Sequence, residues 1–177
     1  MRGVPTSFQS RDLAREVGVP LAGADEIARV DVAIDGADQV VGADAVKGGG
    51  AAHAREKIVD AAADRLLLVV DSTKVADTLT HPVPLEVLPD ARTTAAAAVR
   101  AVGGDPVLRD AERKDGPVVT DNGNLVLDCD FGRIDDPAGV SASLSSIAGA
   151  VEHGLFVGMA DVIYVGTSDS VTVREAE

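Results

Sequence analysis

Apolar positions give the first outline of the chain. Ala28-Arg29-Val30-Asp31-Val32-Ala33-Ile34 reads as a buried strand, and Leu66 to Val70 is a short unbroken apolar run that predicts a strand from Arg65 to Asp71. Between them, Gly50 to about Ala63 has helical spacing, and a shorter helix is expected from Ser10 to Val17, ended by Gly18. Strand, helix and strand in that order imply a parallel pair. After Lys74 the pattern changes. It predicts a strand from Val83 to Leu88, an alanine-rich helix from Pro89 to Val102, a strand from Val107 to Asp110, a hairpin turning at Asn122-Gly123 and a helix from Pro137 to Ile147. Asp161 to Val165 is a last short apolar strand, expected to rejoin the first sheet.

These elements amount to an α/β fold: a Rossmann-like parallel sheet with a second, smaller α+β lobe. The expected division assigns residues 1–79 and 158–177 to the first and 80–157 to the second.

Chemistry concentrates in two segments. Lys47-Gly48-Gly49-Gly50-Ala51-Ala52-His53-Ala54-Arg55-Glu56-Lys57 sets a glycine loop at the mouth of a helix, where unpaired N–H groups and Lys47 favour an anion. If Ile58 points to the core, Ala54, Ala61 and Ala62 fall near it, and Glu56 falls opposite, facing the loop. Upstream, Asp35-Gly36-Ala37-Asp38 sits beyond the carboxyl end of a strand, where open α/β sheets bind ligands. An ordinary turn, a solvated glutamate or an Asx turn would present the same residues one at a time.

The motifs together resemble the type A ribose-5-phosphate isomerases. Ile34-Asp35-Gly36-Ala37-Asp38, the Lys47 to Lys57 segment, Ser72-Thr73-Lys74-Val75, Pro84 to Pro89, Thr120-Asp121-Asn122-Gly123-Asn124 and Val151 to Phe156 look like that family's blocks, in its order. The likeness runs from Val4-Pro5-Thr6-Ser7 to Val165-Gly166-Thr167. It implies interconversion of D-ribose 5-phosphate and D-ribulose 5-phosphate through an enediolate, with Glu56 as the general base. It also implies that Lys47 and Lys74 contact the sugar, that Asp35 and Asp38, with Gly36 and Ala37, hold hydroxyls and relay protons, and that Gly48, Gly49 and Gly50 close around the substrate. Asp38 is followed by Gln39, where the family commonly has glutamate. Family members usually carry a strand and a Gly-Thr-Gly-Ser-Thr phosphate loop before the VPTS block, whereas this sequence starts at Met1-Arg2-Gly3-Val4. The expectation from that difference is poor or no turnover by residues 1–177 and oligomerisation or aggregation through an unpaired sheet edge. A catalytically silent sugar-phosphate-binding module of the same fold is the alternative reading.

Composition narrows the remaining choices. A net charge of −13 argues against nucleic acid and anionic membranes as partners, and no segment reads as a membrane span or secretory signal, so a cytoplasmic enzyme acting on a small sugar phosphate is expected. The acidic excess, only four lysines and scarce aromatics suggest work in concentrated salt, although ordinary acidity gives a similar count. Cys129 is the sole cysteine and is expected as a buried structural thiol. His53, His81 and His153 lack metal-ligand spacing; His53 is expected to face solvent and His153 to lie in a turn. Neither metal nor cofactor is predicted.

Overall fold

The computed structural model describes residues 1–175; residues 176 and 177, the end of the expected first lobe, lie outside the described residues. Ser7 opens helix α1 (Phe8–Glu16) through a capping box in which it accepts from the Ser10 N–H at 3.1 Å, and Gly18 follows the helix with φ +74°. Strand β1 (Ala33–Asp35) is followed by the hairpin β2 (Gln39–Val41) and β3 (Asp44–Val46), then by α2 (His53–Ala61) and β4 (Leu66–Asp71). Next come β5 (Val83–Val87), α3 (Arg92–Ala101), β6 (Asp105–Leu108), β7 (Leu125–Asp130) and α4 (Pro137–Ser145). The described chain ends with β8 (Ala150–His153), β9 (Leu155–Phe156), β10 (Val162–Gly166) and β11 (Val171–Glu175).

The expected parallel sheet is present in the order β1-β4-β10-β11, with β1, β4 and β10 parallel and β11 antiparallel at the edge. A second, antiparallel sheet runs β6-β7-β5-β8. Its strand β5 is buried along all five residues because it lies between β7 and β8. Pro106 sits in β6, an edge strand, where a missing N–H is tolerated, and the strand starts two residues earlier than its apolar pattern predicts.

A third sheet, β2-β3-β9, was not legible in the pattern. It is wedged between the two cores, as strand alternation shows. Ala45 and Phe156 face the core under the parallel sheet, while their neighbours Val46 and Leu155 face the core of the second sheet. All four are 0–1% exposed, and complete burial of a leucine or phenylalanine is worth about 1.5–3 kcal/mol. This wedge holds the residue after β3, Lys47, at the junction.

Four expectations fail here. The strand at Ala28–Ile34 is not buried: regular pairing covers only Ala33–Asp35, and Ile34 is 70% exposed because β1 is an edge strand with one face on the core. Ile58 is 62% exposed, while α2 buries His53, Ala54, Val59 and Asp60, so the assumed phase of the helix was wrong. His53 is fully buried, and His153 ends strand β8, also buried. Cys129 is buried as expected, and burial pushes its thiol pKa up to about 12. Among the described residues, no helix is long and apolar enough to cross a membrane.

Candidate active site

The strand β1 ends at Asp35, and the chain turns through Gly36-Ala37-Asp38 into the hairpin that delivers Lys47. Lys47 is 2% exposed, and its ammonium donates to the Gly36 carbonyl at 2.6 Å, to Asp35 Oδ2 at 2.7 Å and toward Glu56 Oε2 at 3.3 Å. Three donors meet three acceptors, which is what a buried ammonium needs. Its nitrogen also lies 5.3 Å from the centroid of the Phe156 ring. Lys47 is therefore not a free cation beside the loop, as the sequence suggested. It is the centre of a carboxylate cluster.

The glycine loop is set by two close approaches. Gly48 has φ +108°, and a Cβ there would lie 2.8 Å from His53 Nδ1, so the loop can cross the buried imidazole only without a side chain. Gly154 does the same for Lys47: its carbonyl accepts the Lys47 N–H at 2.8 Å, and a Cβ would come within 2.0 Å of the Lys47 carbonyl oxygen. Of the three loop glycines only Gly48 takes positive φ; the other left-handed residue of the segment is Ala51, at φ +59°. The Gly49 N–H donates to Asp38 Oδ2 at 2.8 Å, joining the aspartate turn to the loop.

Helix α2 carries Glu56 toward this cluster, although Ile58 does not face the core. Burial raises the Glu56 pKa, the Lys47 charge opposes the rise and Asp35 adds to it. Asp35, Gly36, Ala37, Asp38, Lys47, Gly48, Gly49, Gly50 and Glu56 line one hollow of about 260 Å³. Lys74 lines an adjoining hollow of about 800 Å³ at the carboxyl ends of β4 and β10, where Gly36 and Ala37 form a shared wall. Gln39, the departure from the family pattern, faces away from this chemistry: its Oε1 accepts the N–H groups of Thr80 and His81 at 2.7 and 2.9 Å.

Several supporting residues were missed in the sequence. Arg109, just beyond β6, pairs with Asp128 of β7 and donates to the carbonyls of Gly48 and Gly49 at 2.8 and 3.1 Å, tying the second sheet to the loop. Lys57 donates to Glu152 Oε1 and to the carbonyls of His153 and Leu155, fixing α2 on β8 and β9. The Thr120–Asn124 block docks twice. Thr120, Asn122 and Asn124 all donate to Glu86 Oε1, and Arg55 of α2 donates to Asn122 Oδ1 and the Asp121 carbonyl. Each pairing joins residues far apart in the chain, so local patterns carry no signal for it.

A parallel sheet whose strand ends hold a lysine between two carboxylates, beside a glycine loop at a helix mouth, defines an α/β protein with a site for a small polar molecule. Residues 2–170 match the sequence profile of ribose 5-phosphate isomerase A (phosphoriboisomerase A), and the chain belongs to that family. It is 67% identical over 172 residues to ribose-5-phosphate isomerase A of Haloarcula marismortui, covering 97% of this chain and 75% of the relative. The corresponding protein of Thermosynechococcus vestitus is 54% identical, over 93% of this chain and 71% of its own. Among solved structures, ribose 5-phosphate isomerase A from Methanocaldococcus jannaschii superposes with a TM-score of 0.92 at 40% identity, covering 98% of this chain and 77% of that one. A D-ribose-5-phosphate isomerase in complex with phospho-erythronic acid superposes with a TM-score of 0.94 at 41% identity, with the same coverage.

Proposed function

We propose that the chain interconverts D-ribose 5-phosphate and D-ribulose 5-phosphate, with Glu56 as the base. The observation that carries this reading is the buried Lys47 ammonium shared by Asp35 and Glu56. Aldose to ketose conversion needs a carboxylate to move one proton between adjacent carbons and a cation to hold the oxygen anion formed in between. Glu56 takes the proton from C2 of the open-chain aldose, and the C1 oxygen gains the charge, forming an enediolate stabilised by Lys47. That oxygen is then protonated while the C2 hydroxyl loses its proton, a relay assigned to Asp35 and Asp38. Glu56 returns its proton to C1, leaving the carbonyl at C2. The raised pKa of Glu56 suits a group that must accept and release a proton in one cycle.

Gly48, Gly49 and Gly50 bring the backbone close to the sugar in this reading, Gly36 and Ala37 form the wall between the two hollows, and Lys74 supplies charge to the larger one. The division into a catalytic lobe of residues 1–79 and 158 onward and a small lobe of 80–157 belongs to the same proposal; the two core clusters support it apart from Val46, Leu79 and Phe156, whose side chains pack across the boundary. We also infer self-association of copies, supported by Ile34, Val69 and Val173 standing more than half exposed on one face of the parallel sheet. Light scattering at a single monomer mass would overturn that part.

Replacing Glu56 with glutamine keeps the shape and removes the base. Turnover of ribose 5-phosphate is expected to fall by about two to four orders of magnitude with little change in KM. EDTA is expected to leave the rate unchanged. Near-normal turnover in Glu56→Gln, or none in the unsubstituted protein, would overturn the assignment.

A further inference from the structure

Asp60 lies on α2 four residues beyond Glu56, so the two carboxyls leave the same face of the helix one turn apart. It is 5% exposed, and its Oδ2 is buried with no hydrogen-bond partner among the described residues. The charged groups facing it are Glu56 from its own helix, Asp35 from the end of β1 and Lys47 from the end of β3. The N–H groups of the Lys47 ammonium are already engaged by Asp35, Glu56 and the Gly36 carbonyl. Asp60 is the carboxyl left over. A buried, unpartnered carboxyl is tolerable in its neutral form and costly when charged. Burial first, then the charges of Asp35 and Glu56, with Lys47 opposing, push its pKa up to about 7.

We propose that Asp60 is a positioning residue of this site: neutral, it leaves Lys47 to Asp35 and Glu56; ionised, it competes for that ammonium and adds negative charge one helical turn behind Glu56. The proposal rests on the isomerase reading above. It gives the site an upper pH limit that acts on binding. The charge of Glu56 is one of the causes of the Asp60 shift, so the two carboxyls titrate as interacting groups. An anionic sugar phosphate meets one more negative charge on the alkaline side.

The test measures KM and kcat for ribose 5-phosphate against pH in the unsubstituted protein and in Asp60→Asn, which holds the shape of the neutral acid at every pH. In the unsubstituted protein KM is expected to rise about tenfold from about pH 6 to about pH 8.5, more than kcat changes, the size a single charge gives across a partly screened site. In Asp60→Asn the KM curve is expected to be flat. Superimposable KM curves for the two proteins would overturn the proposal, since a purely structural aspartate would not impose a titration on KM alone. A carboxyl-carbon NMR titration of Asp60 separates this proposal from the isomerase reading. Absence of turnover would sink that reading, and Asp60 would then be judged by its own midpoint. A midpoint near 7 that falls in Glu56→Gln supports the coupling, and one in the ordinary aspartate range, indifferent to Glu56, overturns it.

Discussion

The sharpest consequences at the residue scale follow from positions that admit no substitute. Gly48→Ala forces a side chain into a left-handed backbone and against the His53 ring, so it is expected to cost about 2 kcal/mol or more and to lower Tm. Thermal unfolding of Gly48→Ala beside Gly50→Ala checks this, because a Cβ at Gly50 meets nothing within 4 Å and its φ is not left-handed. Similar melting temperatures for the two variants would show that the loop yields. His153 provides a pH test. Burial first, then the Lys57 charge, lower its pKa from 6.5 to about 4. A depressed histidine pKa means the unfolded state binds protons first as pH falls, so stability present above about pH 6.5 is lost progressively toward about pH 4. Tm is expected to drop less between pH 7 and pH 4.5 in His153→Gln than in the unsubstituted protein, and parallel curves would contradict the assignment. Asp60, with its raised pKa, has the opposite sign and favours the fold as pH falls.

Among elements, the loop from Lys47 to Ala52 depends on parts of the chain that it does not touch in sequence. Arg109 grips two of its carbonyls while anchored to Asp128, so the second sheet fixes the loop that lines the first sheet's hollow. Arg109→Met is expected to raise KM for ribose 5-phosphate roughly tenfold, with a smaller change in kcat, because a loosened loop misplaces substrate before it affects the base. An unchanged KM would mean that Gly154 and Asp38 hold the loop unaided. The α2 boundaries were readable from spacing within a few residues, but its rotation was not. Ile58 is the most apolar side chain in that helix, yet the neighbours of α2 are β8, β9 and the Lys47 cluster, which take the stripe carrying His53, Glu56, Lys57 and Asp60.

The whole molecule carries a net charge of −13, and its relatives from salt-loving organisms, such as that of Haloarcula marismortui, share most of its sequence. Repulsion among 29 acidic groups is relieved by screening, so raising KCl from about 0.1 M to about 2 M is expected to lift Tm by roughly 10 °C. A flat melting temperature across that range would show that the acidic surface brings no net repulsion. The surface ion pairs, such as Arg29 with Asp64 and Arg133 with Asp135, are exposed and are not expected to offset the effect.

Period and punctuation in the sequence were enough for the central strand β5, the turn at Asn122-Gly123 and the helix behind the glycine loop, because each rests on neighbours a few residues apart, and the order strand, helix, strand was enough for a parallel sheet. Motif chemistry likewise singled out the nine residues that line one hollow, with Lys74 beside it. The tertiary structure alone decided what those residues face. Three-residue strands carry too little pattern to announce the β2-β3-β9 wedge, and its last strand arrives from the far end of the chain. Around that wedge Lys47 is buried between Asp35 and Glu56, His53 and His153 turn inward, and Asp60 Oδ2 has no hydrogen-bond partner among the described residues. Burial and charge pairing depend on which distant segments meet, and no local period encodes that.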